Sequence, residues 1–289
     1  MNIFENQPGF ITRDPRAAQA DERAFTAESQ QARYEAWIPP EFLKDASVLD
    51  LGCCCGAVGA YAFAHGAKRY VGVEISTALS KIAIQNFDEY YPDRDYWIEI
   101  KSAEDYLDTA IEEFDFVIIA GMLHGVTEVI PFLSNAAQLG KVILLESVHP
   151  PLRVFDALVN KLVKDCSDET RDELYNMMHH VEFSLPFSIY HNQGRMCLDD
   201  SHSTVTNILR PLVSMGALKM IFNRLGFQED IRPYRRLIDA LPTYFGYGRR
   251  FGMAFVRRGA AKPMSFAELF ESDEKEVSEW DSISTEGMI

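Results

Sequence analysis

From Ser47 onward the chain alternates short apolar runs with longer amphipathic ones. SVLDL, RYVGVEI, YWIEIK, FDFVIIA and KVILLES read as strands, being short, apolar and rich in β-branched or aromatic residues. GAVGAYAFAHG reads as a helix closed by its final glycine, Ser76 to about Tyr90 as a second, and about Val126 to Leu139 as a third. Near-continuous apolar strands separated by helices need cover on both faces. This predicts an α/β fold with a doubly wound, mostly parallel sheet.

The flanks break that rhythm. Residues 1–40 are polar and helix-prone from Pro15 to Trp37, ending at Pro39-Pro40, and read as a helical lid before a core over 41–147. Residues 148–214 mix short helical pieces, aromatics, histidines and the prolines Pro150, Pro151, Pro186 and Pro211, the pattern of an insertion or cap rather than of more sheet. The regular pattern returns over 215–260. SMGALKMIFNRLG is a helix stopped by Gly226, and strands near Gln228–Arg232 and Arg250–Arg257 are joined by LPTYFGYG. So short a link cannot make a parallel crossover, so the last of the seven strands is expected to be antiparallel. Residues 261–289 form an acidic tail, with eight acidic residues against Lys262 and Lys275, and a capping box at Ser265 and Glu268.

Composition narrows the function. The chain of 289 residues is 47% hydrophobic and 25% charged, which suits a globular protein and excludes collagen-like or disordered classes. A net charge of −15 disfavours nucleic acid as a partner. No run of about 18 apolar residues suggests a membrane span, and the opening residues show no secretory pattern. Of five cysteines, three are contiguous (Cys53, Cys54, Cys55), which is neither a disulfide framework nor zinc-ligand spacing. A reducing cytoplasm and no bound metal are expected.

The chemistry concentrates in VLDLGCCCGAVGAYAFAHGAKRYVGVEIS. A strand enters a small-residue turn with Gly52 and Gly56, and a helix leaves it, so backbone can approach a ligand closely. Glu74 ends the next strand, where a carboxylate can accept both hydroxyls of a ribose. No Lys-Ser/Thr follows Gly56, which excludes a phosphate loop, and the dinucleotide glycine spacing fails at Cys54 and Ala57. Asp50, just before the turn, suits a ligand with a free amino group better than a pyrophosphate.

Asp50, Gly52 and Gly56 resemble motif I of class I S-adenosylmethionine-dependent methyltransferases, D-x-G-x-G-x-G, with Cys54 where the middle glycine is commonest. The resemblance implies a Rossmann-like seven-stranded fold, S-adenosyl-L-methionine as cofactor and S-adenosyl-L-homocysteine as product. It assigns Cys53 to the turn, Glu74 and Ile75 to the ribose end, and Ser102, Ala103 and Glu104 to the adenine, although relatives often carry an acidic residue where Ser102 stands. Gly121 and Met122, in FDFVIIAGMLHGV, would lie along the methionine portion. A narrower similarity, through G-M-L-H, ILLES and a late LGF, is to a branch that contains wobble-uridine tRNA-modifying enzymes and small-molecule relatives.

Methyl transfer from a sulfonium is an in-line displacement, so alignment and exclusion of water carry most of the catalysis. An oxygen acceptor also needs a base. His124 and His149, just past the fourth and fifth strands, are the candidates. Tyr34 on the N-terminal helix, with Tyr190, His191, Arg195 and His202 in the insertion, are candidate acceptor-pocket residues. The expected reaction is O- or N-methylation of a small molecule. The alternatives are methylation or carboxymethylation of RNA, which requires the arginines of RPYRR, GRR and RR to form a basic surface, and donor binding without catalysis.

Overall fold

The computed structural model describes residues 2–11, 26–148, 187–197, 203–230, 232–240 and 250–259. Among the described residues, two α-helices precede the sheet. In α1 (Ile3–Asn6) the Asn2 side chain caps the first turn, and in α2 (Ala27–Trp37) the Thr26 hydroxyl accepts the Ser29 N–H at 3.1 Å. The helix expected over Pro15–Trp37 is therefore seen in its second half, and 12–25 lie outside the described residues. The alternation then follows as β1 (Ser47–Leu51), α3 (Ala57–Ala64), β2 (Arg69–Val73), α4 (Thr77–Tyr90), β3 (Asp95–Glu99), α5 (Ala103–Leu107), β4 (Phe114–Ala120), α6 (Val129–Leu139) and β5 (Gly140–Val148).

The second half corrects two expectations. β6 (Phe187–Cys197) and β7 (Ser203–Val213) pair antiparallel as a separate two-stranded ribbon, so this part of the insertion is strand rather than short helical pieces. The β-branched content of STVTNIL favours that outcome, and Pro211 is tolerated because a ribbon strand has a free edge. After α7 (Met215–Arg224), Gly226 takes φ +83° and ends the helix as expected. β8 (Phe227–Asp230) then leads into α8 (Arg232–Ala240) before β9 (Arg250–Arg257), so a helix occupies part of what reads as a strand-to-strand link. Pro233 falls in the first turn of α8, where a missing N–H costs nothing, and the Asp230 carboxylate accepts the Arg232 N–H at 2.9 Å. Pro233 and Leu237 supply its buried stripe.

Seven strands form one sheet in the order β3-β2-β1-β4-β5-β9-β8. β1 to β5 are parallel, and β9 runs antiparallel between β5 and β8. This is the Rossmann-like sheet with an antiparallel final strand. The chain winds outward in both directions from the β1/β4 pair, so the crevice at their carboxyl ends is the topological switch point where such sheets bind ligands.

Strand alternation sorts the side chains. Leu49, Val117, Ile143 and Met253 face a core with α6 and α7, represented by Phe132, Leu133 and Phe222. Val48, Tyr70, Ile118, Leu144 and Ala254 face the other core, with Trp37 of α2, Tyr61 of α3 and Phe87 of α4. By the same period of two, Asp50, Glu146 and Arg250 fall on the second face, beneath α2.

Candidate active site

The turn after β1 is built from backbone. Gly52, Cys54 and Gly56 take φ of +78°, +52° and +87°, so all three occupy the left-handed region, Cys54 despite its side chain. The Gly52 and Cys53 N–H groups donate to the Val73 carbonyl at 2.8 and 3.0 Å, tying the turn to the end of β2. Glu74 completes the tie. Its Oε2 accepts the Cys54 N–H at 3.0 Å and its Oε1 the Ser76 N–H at 2.8 Å. Each oxygen keeps a further lone pair, so the carboxylate holds the turn and still has acceptor capacity toward a sugar. A Cβ on Gly52 would stand 3.2 Å from the Met122 sulfur, and one on Gly56 would stand 2.6 Å from the Phe87 ring.

Beside the turn lies a buried polar wall. Asp50 is 1% exposed, and its Oδ2 accepts the Tyr70 hydroxyl at 2.8 Å while its Oδ1 has no hydrogen-bond partner among the described residues. Arg33 of α2 pairs with the fully buried Glu146 of β5 through Nη2 and through Nε, the latter at 2.8 Å, and its Nη1 donates to Gln30 at 3.2 Å. Arg250 at the start of β9 donates to the other oxygen of Glu146 at 2.7 Å. One carboxylate thus joins an N-terminal helix to two strands, with the Arg33 guanidinium 5.3 Å from the Tyr34 ring centroid.

Between turn and wall is a cleft of about 200 Å³. It is lined by Asp50, Gly52, Cys53 and Gly121 of the sheet end, by Gln30, Arg33 and Tyr34 of α2, and by Phe10 and Ile11. Gly121 takes φ +67° as β4 ends, and a Cβ there would meet Arg250 Nη1 at 3.3 Å. Burial, the largest influence, raises the Asp50 carboxyl to about 7; the Tyr70 bond and Arg33 lower it, and Glu74 adds to the rise. Burial likewise pushes up the Tyr34 hydroxyl and the Cys53 thiol.

Sequence and structure of this region can be set beside known proteins. Residues 49–141 match the family model described as a methyltransferase domain. No curated protein matches the sequence. Among solved structures, a putative S-adenosylmethionine-dependent methyltransferase from Listeria monocytogenes is 16% identical with TM-score 0.49, covering 79% of this chain and 99% of its own. Magnesium protoporphyrin IX methyltransferase from Synechocystis, solved with bound S-adenosylhomocysteine, is 17% identical with TM-score 0.49, covering 89% and 98%. An S-adenosylmethionine-dependent methyltransferase from Mesorhizobium loti is 16% identical with TM-score 0.46, covering 80% and 98%.

The donor of a class I methyltransferase domain is S-adenosylmethionine, and the residues present fit it. A buried carboxylate oxygen without a partner suits its amino group, the glycine backbone at 52 and 121 admits its chain, and Glu74 retains capacity for its ribose hydroxyls. Of the other residues expected there, Ile75 is 47% exposed beside Glu74, offering an apolar surface. Ser102 caps α5 by accepting the Asp105 N–H at 3.0 Å, Ala103 is buried beneath it, and Glu104 is half-buried, all at the carboxyl end of β3. Gly56 is the N-cap of α3, and Met122 packs against Gly52.

His124 is half-buried in a short 3-10 turn, Leu123–Gly125, just beyond β4. Tyr190, His191 and Arg195 lie on β6, paired in register with Arg210, Leu209 and Val205. His149, His202 and the acidic tail lie outside the described residues. Among the described residues no group of three metal-binding side chains occurs, and no helix is long and apolar enough to cross a membrane. Sequence reasoning missed Gln30, Arg33, Glu146, Tyr70 and the cleft role of Arg250. One signal was present: Glu146 is the only charge within the apolar run VILLES, and a carboxylate in a buried strand requires a cation from elsewhere.

Proposed function

We propose that the protein transfers a methyl group from S-adenosylmethionine to an oxygen or nitrogen of a small-molecule acceptor. The observation that carries this reading is the polar and aromatic lining that α2 brings to the turn. Arg33, Tyr34 and Gln30 of α2, with Phe10 and Ile11, line a cleft of about 200 Å³ beside the turn. When bound, the sulfonium supplies an activated methyl group that needs no further activation by the protein. The chain then has to grip, orient and dehydrate. Glu74 holds the ribose, Asp50 the amino group, and the backbone at Gly52, Cys53 and Gly121 the connecting chain, with Ile75, Ser102, Ala103 and Glu104 around the base. Tyr34 covers the reacting end and excludes water.

For an oxygen acceptor, His124 takes the hydroxyl proton as the bond forms, with His149 its alternative from the end of β5. Tyr190, His191, Arg195 and His202 shape the acceptor side. Replacing His124 by Ala is expected to lower kcat by about 10²-fold or more while leaving donor affinity unchanged. An unaltered kcat with the true acceptor would remove His124 from this role. Transfer from methyl-labelled donor into the small-molecule fraction of a cell extract tests the reaction itself, and label appearing only in RNA or protein would overturn the acceptor class.

Three of the arginines that the RNA reading draws on have partners within the chain. Arg257 is engaged by Glu113 at 2.5 Å and the Gly140 carbonyl at 2.6 Å, Arg236 by the Ala36 carbonyl at 2.8 Å, and Arg232 by Asp230 at 2.6 Å. Arg257 and Arg236 thus tie elements of the fold together, while Arg232 is exposed in a local pair with Asp230. A gel shift with tRNA at low salt is expected to show no complex.

A further inference from the structure

Asp50 sits in the cleft with its hydrogen bonding half complete. The residue is 1% exposed at the end of β1, Oδ2 accepts the Tyr70 hydroxyl at 2.8 Å, and the buried Oδ1 accepts no hydrogen bond from the described residues. An anionic oxygen left without a donor in an apolar surrounding is costly, and two events relieve it, namely protonation of the carboxyl or arrival of a ligand N–H. The surroundings decide which holds before a ligand binds. Burial and the charge of Glu74 at the end of β2 favour the neutral acid. Tyr70 of β2 and Arg33 of α2 oppose it, and the balance leaves the carboxyl titrating at about 7. The neighbouring Tyr34 of α2 and Cys53 of the turn are both pushed upward by burial, so neither exchanges a proton in the same range. Arg250, on the far side of the cleft, is tied to Glu146 at 2.7 Å.

We propose that Asp50 exchanges a proton for the ligand's amino group: where the ligand-free carboxyl still carries its proton, it releases that proton to solvent as the ammonium docks on Oδ1. The inference rests on the donor reading above and deepens it. The balance is simple. A carboxylic acid and a ligand ammonium become a carboxylate–ammonium pair plus one solvent proton, with no covalent bond to carbon or sulfur made or broken. Two consequences follow for the same site. Affinity for donor and product alike falls as pH drops below the Asp50 midpoint, and the cleft selects against nucleosides that lack the amino group, because they leave the acid protonated and unused.

The test is calorimetry of S-adenosylhomocysteine binding to the full chain, at matched pH in two buffers of different ionisation enthalpy. At pH 6 about 0.9 protons are expected to be released per ligand, at pH 8.5 fewer than about 0.1, and the affinity is expected to be about tenfold weaker at pH 6 than at pH 8. Asp50→Asn should abolish the release and flatten the pH dependence. Tyr70→Phe removes the bond that stabilises the carboxylate and should move the midpoint upward, which keeps the test readable if the first variant binds too weakly. An analogue with hydrogen in place of the amino group should bind without proton release. Wild-type binding with no proton release at pH 6, or release that survives in Asp50→Asn, overturns the inference while leaving the donor reading standing. A folded chain that gives no binding heat in any buffer overturns the donor reading itself, and this inference with it.

Discussion

Asp50 shows how a single side chain trades stability for binding. Its carboxyl titrates near 3.8 when exposed and at about 7 when folded, so the folded state holds the extra proton between those values. The contribution of that proton to stability is complete at acid pH and is lost as pH rises from about 4 to about 7. Asp50→Asn should therefore raise the thermal stability of the ligand-free protein at pH 8, by on the order of 2–4 kcal/mol, and leave it little changed near pH 4. Melting curves at the two pH values check this, and a variant no more stable at pH 8 would contradict it. Cys54 offers a second test. At φ +52° it bears the steric cost that glycine avoids. Cys54→Gly should be neutral or stabilising by up to about 1 kcal/mol, whereas Cys54→Val, with a branched Cβ, should lose about 1–2 kcal/mol. Denaturant unfolding separates the two.

At the scale of elements, the site depends on contacts between pieces distant in sequence. Arg33 secures α2 to β5 through the fully buried Glu146. Arg33→Met should cost about 3 kcal/mol, because one side of a buried carboxylate loses its cation, and Glu146→Gln added to it should recover part of the loss. Gly59 fixes the other side. A Cβ there would stand 2.6 Å from the Phe87 ring and 2.7 Å from the Tyr70 ring. Alanine normally gains about 1 kcal/mol over glycine within a helix, yet here the clash outweighs it. Gly59→Ala should destabilise by about 1–3 kcal/mol and weaken donor binding by displacing the tyrosine that holds Asp50.

What could be read from the sequence follows from these same distances. The strands, the glycine turn and the position of Glu74 are written in local patterns, so periodicity and the Asp50–Gly52–Gly56 spacing locate them. The Arg33–Glu146–Arg250 junction is not local. Only strand parity and sheet order bring the three together. α8 escaped because RPYRRLIDA carries as many charged residues as hydrophobic ones, four of each, with a proline in its first turn. The β6–β7 ribbon escaped because punctuation by proline and a mixture of polar and apolar residues resemble an irregular cap.

At the scale of the whole molecule, the domain that carries the methyltransferase signature is narrower than the site. Residues 49–141 include the turn, Glu74 and Gly121, but Gln30, Arg33 and Tyr34 come from before it and Glu146 and Arg250 from after it. The partners in the junction stand 113 and 104 positions apart along the chain. During synthesis, then, the pocket stays unfinished until β9 has left the ribosome, however early the central strands collapse. A nascent chain halted before that point would hold its binding loop open to water, with Glu146 a buried anion lacking one of its two counter-charges.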